Sequence, residues 1–282
     1  NASDGTKIIV ASGTYNVNDL NITKDIILKG SGMGSTILDG QGSNRIMTIN
    51  ATGQDTLRII DMTIKNGNAL SSGGYVVGFE GTSTIAKFEN IVFENNGAGT
   101  GNTLFRGLGP DKTFYVNSII RNNSAENYAG IGDATVYGCL IYGNTGWNNP
   151  SPVKASKVYS TTITGNSGGV STNAWTTGGA TNSQITNSII YDNSPKDLYY
   201  YSNSPYSGVT YSTITNGYNG TGNISSDPQF NNSSAQNYGL SSSSPALNNG
   251  DPSMTDPDGT RIDMGAYLDS NGNVYDDPNS EH

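Results

Sequence analysis

The sequence predicts an all-β chain folded as a single-stranded, right-handed parallel β-helix, a solenoid of about 8–10 coils with capped ends. Three observations predict it. Charged residues make up only 13% of the chain, which carries 37 glycines; a typical domain is about 25% charged. Disorder does not explain this, because Ile, Val and Thr recur in short clusters throughout, whereas disordered chains carry high charge and few β-branched residues. A short apolar motif also returns at intervals of 21 to 29 residues, inside the range of about 20–50 that marks repeat architectures. Within each copy the apolar residues alternate, as in a strand, and do not recur at helical spacing. A propeller blade takes about 40 residues and four strands, so one coil of short strands plus turns is the better unit.

In chain order, residues 1–20 read as an N-terminal cap, 21–224 as coils and 225–268 as a C-terminal capping segment, one domain over 1–268; residues 269–282 form a polar tail. The motif reads Met62-Thr63-Ile64, Ile91-Val92-Phe93, Ser118-Ile119-Ile120, Cys139-Leu140-Ile141, Thr161-Thr162-Ile163, Ser188-Ile189-Ile190 and Ser212-Thr213-Ile214. Period-2 alternation stacks Ile64, Phe93, Ile120, Ile141, Ile163, Ile190 and Ile214 in one inward column, with the first member of each triplet as its inward partner. Cys139 belongs to that partner column and reads as a small core residue, not a nucleophile. Val92, Ile119, Leu140 and Ile189 point outward, as a stripe under a loop or a contact surface. Three residues beyond the triplets stand Asn96, Asn123, Asn144, Asn166 and Asn193. Asn tolerates left-handed geometry, and stacked Asn side chains hydrogen-bond the copies above and below, so this column reads as a ladder in a turn.

Two stretches carry a family resemblance. Asp4-Gly5-Thr6-Lys7-Ile8-Ile9-Val10, Gly13-Thr14-Tyr15, Ile22-Thr23-Lys24-Asp25-Ile26-Ile27-Leu28 and Thr36-Ile37-Leu38-Asp39-Gly40 resemble the first coils of pectate-lyase-like β-helix proteins. Asp227-Pro228-Gln229-Phe230, Ser244-Pro245-Ala246-Leu247-Asn248-Asn249-Gly250-Asp251-Pro252 and Asp256-Pro257-Asp258-Gly259-Thr260-Arg261-Ile262-Asp263-Met264-Gly265-Ala266-Tyr267 resemble the end of bacterial surface proteins called choice-of-anchor Q domain proteins. The resemblance implies a right-handed β-helix on a secreted or surface-anchored bacterial protein. It implies no activity.

Charge narrows the partners. The net charge is −9, with Arg261 the only cation against nine acids in residues 225–282. Nucleic acid needs a broad basic face, so it is excluded as a partner. A general attraction for anionic lipid or acidic polysaccharide is not expected. Cys139 is the only cysteine, so no internal disulfide forms. No apolar run approaches the ~20 residues of a membrane span, and no signal-peptide pattern is present; the start at Asn1 reads as processed. An extracellular or cell-surface location follows from the Asn/Gly/Ser/Thr-rich repeat character.

Catalysis is thinly supported. A glycoside hydrolase needs converging carboxylates, and no Asp-Asp pair lies in the repeats. A polysaccharide lyase needs a base near a uronate α-proton, with Ca²⁺ or a cation neutralising the carboxylate. Arg121, Arg106 and Asp133 in the mildly basic middle coils are the candidates, and the bland alternative is solubilising charge. Trp147, Trp175, Tyr199 and Tyr201, with Tyr200 and Tyr206, lie in polar loops where rings stack on sugar faces or cover loop edges. Asp251, Asp256, Asp258 and Asp263 offer oxygens to Ca²⁺, the one cofactor suggested, or else hydrogen-bond turn amides and pair with Arg261 in a terminal cap. Asp269, Asn271 and Asn273 have EF-hand spacing, but Val274 replaces the required Gly.

The leading expectation is a non-catalytic extracellular module acting as scaffold, adhesin or glycan-contacting spacer. A polysaccharide lyase is the alternative, preferred to a hydrolase. A filament subunit, self-associating through its ends or its outer apolar column, is the second.

Overall fold

The computed structural model describes the chain except residues 1, 44, 54, 70–73, 81–83, 99–102, 127, 147–150, 155, 172–183, 200–207 and 275–282. The described residues are all-β apart from one short 3₁₀ turn, Ser233–Ala235. Except for the antiparallel pair Phe230–Asn232 and Asn237–Leu240, the strand pairs are parallel.

Each pass of the chain visits the same surfaces in the same order. Lys7–Ile9 enters one half of a long sheet, Gly13–Asn16 the other half, and Leu20–Ile22 a second, eight-stranded sheet. The next pass, Ile27–Lys29, Thr36–Asp39 and Met47–Ile49, stacks on the first in register. The first half of the long sheet ends at Gly208–Thr210. A short four-stranded sheet, from Asn68–Ala69 to Thr145–Gly146, fills one corner. This arrangement fits the parallel β-helix expected from the repeat.

The predicted column is present. Ile64, Phe93, Ile120, Ile141, Ile163, Ile190 and Ile214 pair in unbroken register and are at most 2% exposed. Their partner column is a second ladder. The hydroxyls of Ser118, Thr161, Ser188 and Ser212 accept the backbone N–H of Ile91, Cys139, Thr161 and Ser188 at 3.1–3.3 Å. Each donates to the carbonyl two residues before it. Cys139 sits in this series, fully buried, its thiol directed at the Tyr115 and Tyr137 carbonyls.

The Asn column is a buried ladder. Asn96, Asn123, Asn144 and Asn166 each donate backbone N–H and Nδ2 to the Oδ1 of the next Asn, up to Asn193. Asp197 Oδ1 accepts from Asn193 and ends the chain of donors. The left-handed residue of this turn is not the ladder Asn but the one before it: Asn66, Asn95, Asn122, Gly143, Gly165 and Asp192. A second left-handed series, Asp61, Asn90, Asn117, Gly138, Ser160, Asn187 and Tyr211, bends the chain between the two halves of the long sheet.

The expected caps differ from those observed. In place of the expected cap over 1–20, Lys7–Ile9, Gly13–Asn16 and Leu20–Ile22 form the first pass itself, paired on one side only. The far end is closed by residues 217–224: Thr221 and Ile224 carbonyls accept from Tyr211 and Ile214, and Asn223 Oδ1 takes the ladder position above Ser212. Residues 225–274 touch that last pass, with Arg261 over the Tyr211 ring at 5.9 Å and the Thr213 hydroxyl directed at Met264. They run back along the flank, where Ala246 and Met264 pack on Ile189, and Tyr238, Leu268 and Val274 on Val92, Ile119, Leu140 and Tyr142. The outward apolar stripe is what holds them, because it removes apolar surface from water on both partners.

Candidate functional site

Outward side chains of the first half of the long sheet line an open groove of about 1320 Å³. It crosses eight strands between Lys7 and Thr186, which at about 4.8 Å per strand is about 34 Å of length. Parallel register turns sequence alternation into rows along the groove. One row runs Lys7, Ile27, Arg58, Lys87, Phe114, Thr135, Lys157. The other runs Lys29, Ile60, Glu89, Val116, Tyr137, Tyr159, Thr186.

Most of the charge is held in pairs. Arg58 forks onto Glu89, with Nε to Oε1 at 2.7 Å and the terminal nitrogen to Oε2 at 2.6 Å; this hydrogen bonding holds the guanidinium above its ordinary pKa. Lys29 meets Asp61 at 2.5 Å. Lys157 meets Asp111 at 2.8 Å, and that hydrogen bond raises the lysine. Lys87 Nζ lies 5.6 Å from the Phe114 ring centroid, within cation–π range. Tyr159 donates to Gln184 at 2.8 Å, and burial raises its phenol. The lining carries Lys7, Lys29, Arg58, Lys87 and Lys157 against Glu89 and Asp111, so a chain of net charge −9 presents a locally cationic face. Pro110 and Asp111 form one wall; Asn90, Asn117 and Asn187 of the left-handed series form the other, with Met254 from the flanking segment.

Compared with protein-family models and with curated proteins, the chain matches none.

The predicted lyase residues separate. Arg121 lies on the other half of the long sheet, in the row Glu94–Arg121–Tyr142. It donates to Glu94 Oε2 at 2.9 and 2.7 Å and to the Tyr142 hydroxyl at 3.1 Å. Tyr142 in turn donates to Gln236 of the flanking segment at 3.2 Å. Partial burial works against the Arg121 charge, but these hydrogen bonds leave its pKa above the ordinary value. Arg121 therefore ties the sheet, through Tyr142, to the flanking segment. Arg106 and Asp133 do come together, on the second sheet beside Lys154, through the register Arg106–Gly132–Lys154. Arg106 donates to the Tyr75 hydroxyl at 3.0 Å. Burial raises the Asp133 carboxyl against the pull of Lys154 and Arg106, and burial lowers Lys154.

Trp147, Trp175 and Tyr201, with the Tyr199 side chain, lie outside the described residues. The four acids suggested for Ca²⁺ do not converge. Asp251 accepts from Ser253, Asp258 from Thr260 and Asp263 from Asn248, while Asp256 accepts from Tyr267. Asp251 and Asp258 close their own turns, whereas Asp263 and Asp256 tie distant parts of the segment together, and among the described residues no three His, Cys, Asp or Glu gather as a metal-binding group. Arg261 donates to the Gly250 and Asn249 carbonyls and not to these acids. Simple alternation hides the groove: counted back by twos from the inward Met62 and Ile91, Arg58 and Lys87 would face the core, but the left-handed Asp61 and Asn90 reverse the phase, so that Leu57, Ile59, Ala86 and Phe88 are the core residues.

Proposed function

We propose that the chain is a right-handed parallel β-helix, extracellular or on a cell surface, that serves as a rigid scaffold contacting an extended acidic glycan without catalysis. The observation that carries this reading is the groove: long, cationic relative to the rest of the chain, and set with the part-exposed rings of Phe114 and Tyr159. Aromatic faces suit pyranose rings, and a ladder about 34 Å long suits a polymer better than a small metabolite. Its acids and bases are largely tied in pairs, which suits recognition better than proton transfer. The pectate-lyase-like resemblance of the first coils supports the β-helix part of this reading and says nothing of the ligand.

The test is binding to a panel of neutral and acidic polysaccharides at low and high salt. Binding to acidic polymers that weakens with salt, and falls at least tenfold in Lys87→Ala and Tyr159→Ala, is expected. Equal binding by the variants would overturn it.

Lyase activity is the second reading, favoured by Asp133 lying half-buried between Arg106 and Lys154. Incubation with uronate polysaccharides, with and without calcium, decides it. Unsaturated product that is lost in Asp133→Asn would replace the non-catalytic reading.

A further inference from the structure

The corner where each pass turns back into the long sheet stacks Asp4, Asp25, Gly53 and Thr84 from successive passes. Asp25 is 0% exposed and Thr84 1%. Asp4 Oδ1 accepts the Asp25 backbone N–H at 2.8 Å, and the Thr84 hydroxyl donates to Asp25 Oδ1 at 2.5 Å. Asp25 Oδ2, equally buried, has no hydrogen-bond partner. A Cβ built on Gly53 would stand 2.1 Å from that oxygen and 3.4 Å from Asp4 Oδ1. Both oxygens therefore border one cradle that only a glycine leaves open, and they lie within about 5.5 Å of each other. Lys24 is turned to the other Asp4 oxygen, Oδ2, at 3.7 Å, and its side chain is 52% exposed.

A carboxylate removed from water with an orphaned oxygen is strongly disfavoured unless something supplies the missing positive charge or donor. We propose that Asp25 and Asp4, beside the Thr84 hydroxyl, hold a hard divalent cation, calcium, in this corner. The donors are all oxygens, and with no His or Cys in the cluster a softer metal has no ligand to prefer. Calcium bonds of about 2.3–2.6 Å bridge two oxygens up to about 5.2 Å apart, and calcium accepts irregular geometry completed by carbonyls and water. Such an ion would pin the first pass to the next ones. That pass is the least protected part of the stack, with Ile9, Tyr15 and Leu20 63%, 37% and 38% exposed. Calcium would thus set the stability of the open end.

The test is calorimetric titration of the chelator-treated full chain with CaCl₂, with Tm measured in parallel. One-site binding and a Tm rise of a few degrees are expected. Asp25→Asn keeps the acceptor for Thr84 but removes the charge, and should abolish both. Asp4→Asn, on the more exposed carboxylate, should weaken binding at least tenfold with the fold intact, so the test survives if Asp25→Asn does not fold. No calcium heat with an unchanged Tm would overturn the proposal. So would binding that persists in Asp25→Asn or Asp4→Asn but is lost in Asp251→Asn or Asp258→Asn, which would move the ion to the flanking segment.

Discussion

Asp263 shows how much a single side chain can owe to its setting. Burial pushes its carboxyl up to about 6 from 3.8, against the Asn248 N–H that lowers it, and Asp256 and Asp258 add like charge. The folded state therefore holds this proton more tightly than the unfolded chain, so stability falls as pH rises from about 3.8 to about 6 and the penalty is complete above that window. Asp251, Asp258 and Asp269 have the opposite sign, because hydrogen bonds from Ser253, Thr260 and Asn273 lower them; their contribution is present above the ordinary carboxylate range and fades on acidification. Asp263→Asn keeps an oxygen for Asn248 and should stabilise the protein by on the order of 1–2 kcal/mol at pH 7, less at pH 4, after allowing for solvent screening. Tm measured from pH 4 to 8 checks this, and parallel curves for the two proteins would refute it. Cys139 illustrates the reverse case: burial pushes its thiol up to about 12, which suits the core role read from its place in the Ser/Thr column.

At the scale of elements, the ladders do what side-chain packing alone cannot. A turn inside a stack has backbone donors facing the next pass, and burying them unpaired costs about 1–3 kcal/mol each. Asn144 satisfies several at once: it accepts from Asn123 N and Nδ2 and donates to the Ile120 carbonyl and Asn166 Oδ1, each at 2.9–3.0 Å. Asn144→Ala should cost about 3 kcal/mol or more, read as a fall in the urea midpoint. A loss near that of an exposed Asn with ordinary backbone geometry, such as Asn18→Ala, would mean the ladder is dispensable. Arg121 belongs to this scale too. Its hydrogen bonds to Glu94 and Tyr142 tie the sheet to Gln236 of the flanking segment, so its loss should loosen that segment and leave the groove untouched.

Over the whole molecule, one surface is occupied and one is open. The flanking segment covers Val92, Ile119, Leu140 and Ile189, while the groove on the other half of the long sheet is open among the described residues. Removing residues 226–282 should expose that apolar stripe and make the remaining chain self-associate, because contiguous apolar patches on a sheet are sticky. Light scattering against concentration reads this, and a monodisperse truncated chain would show that the segment is not a necessary cover. No helix among the described residues is long and apolar enough to cross a membrane.

Alternation and repeat spacing by themselves determined which side chains face inward. Ile64 through Ile214, Cys139 and the ladder asparagines could be placed before any coordinates, because a strand's period of two and a turn's need for Asn are local properties. What lies outside each coil was decided only by the tertiary structure. Whether Val92 and its copies meet solvent depends on where residues 225–274 travel, and whether Arg58 finds Glu89 depends on register between passes about 30 residues apart. Asp4, Asp25 and Thr84 meet for the same reason: contacts between coils follow the stacking of the chain, and irregular loop lengths hide that stacking from any fixed spacing in the sequence.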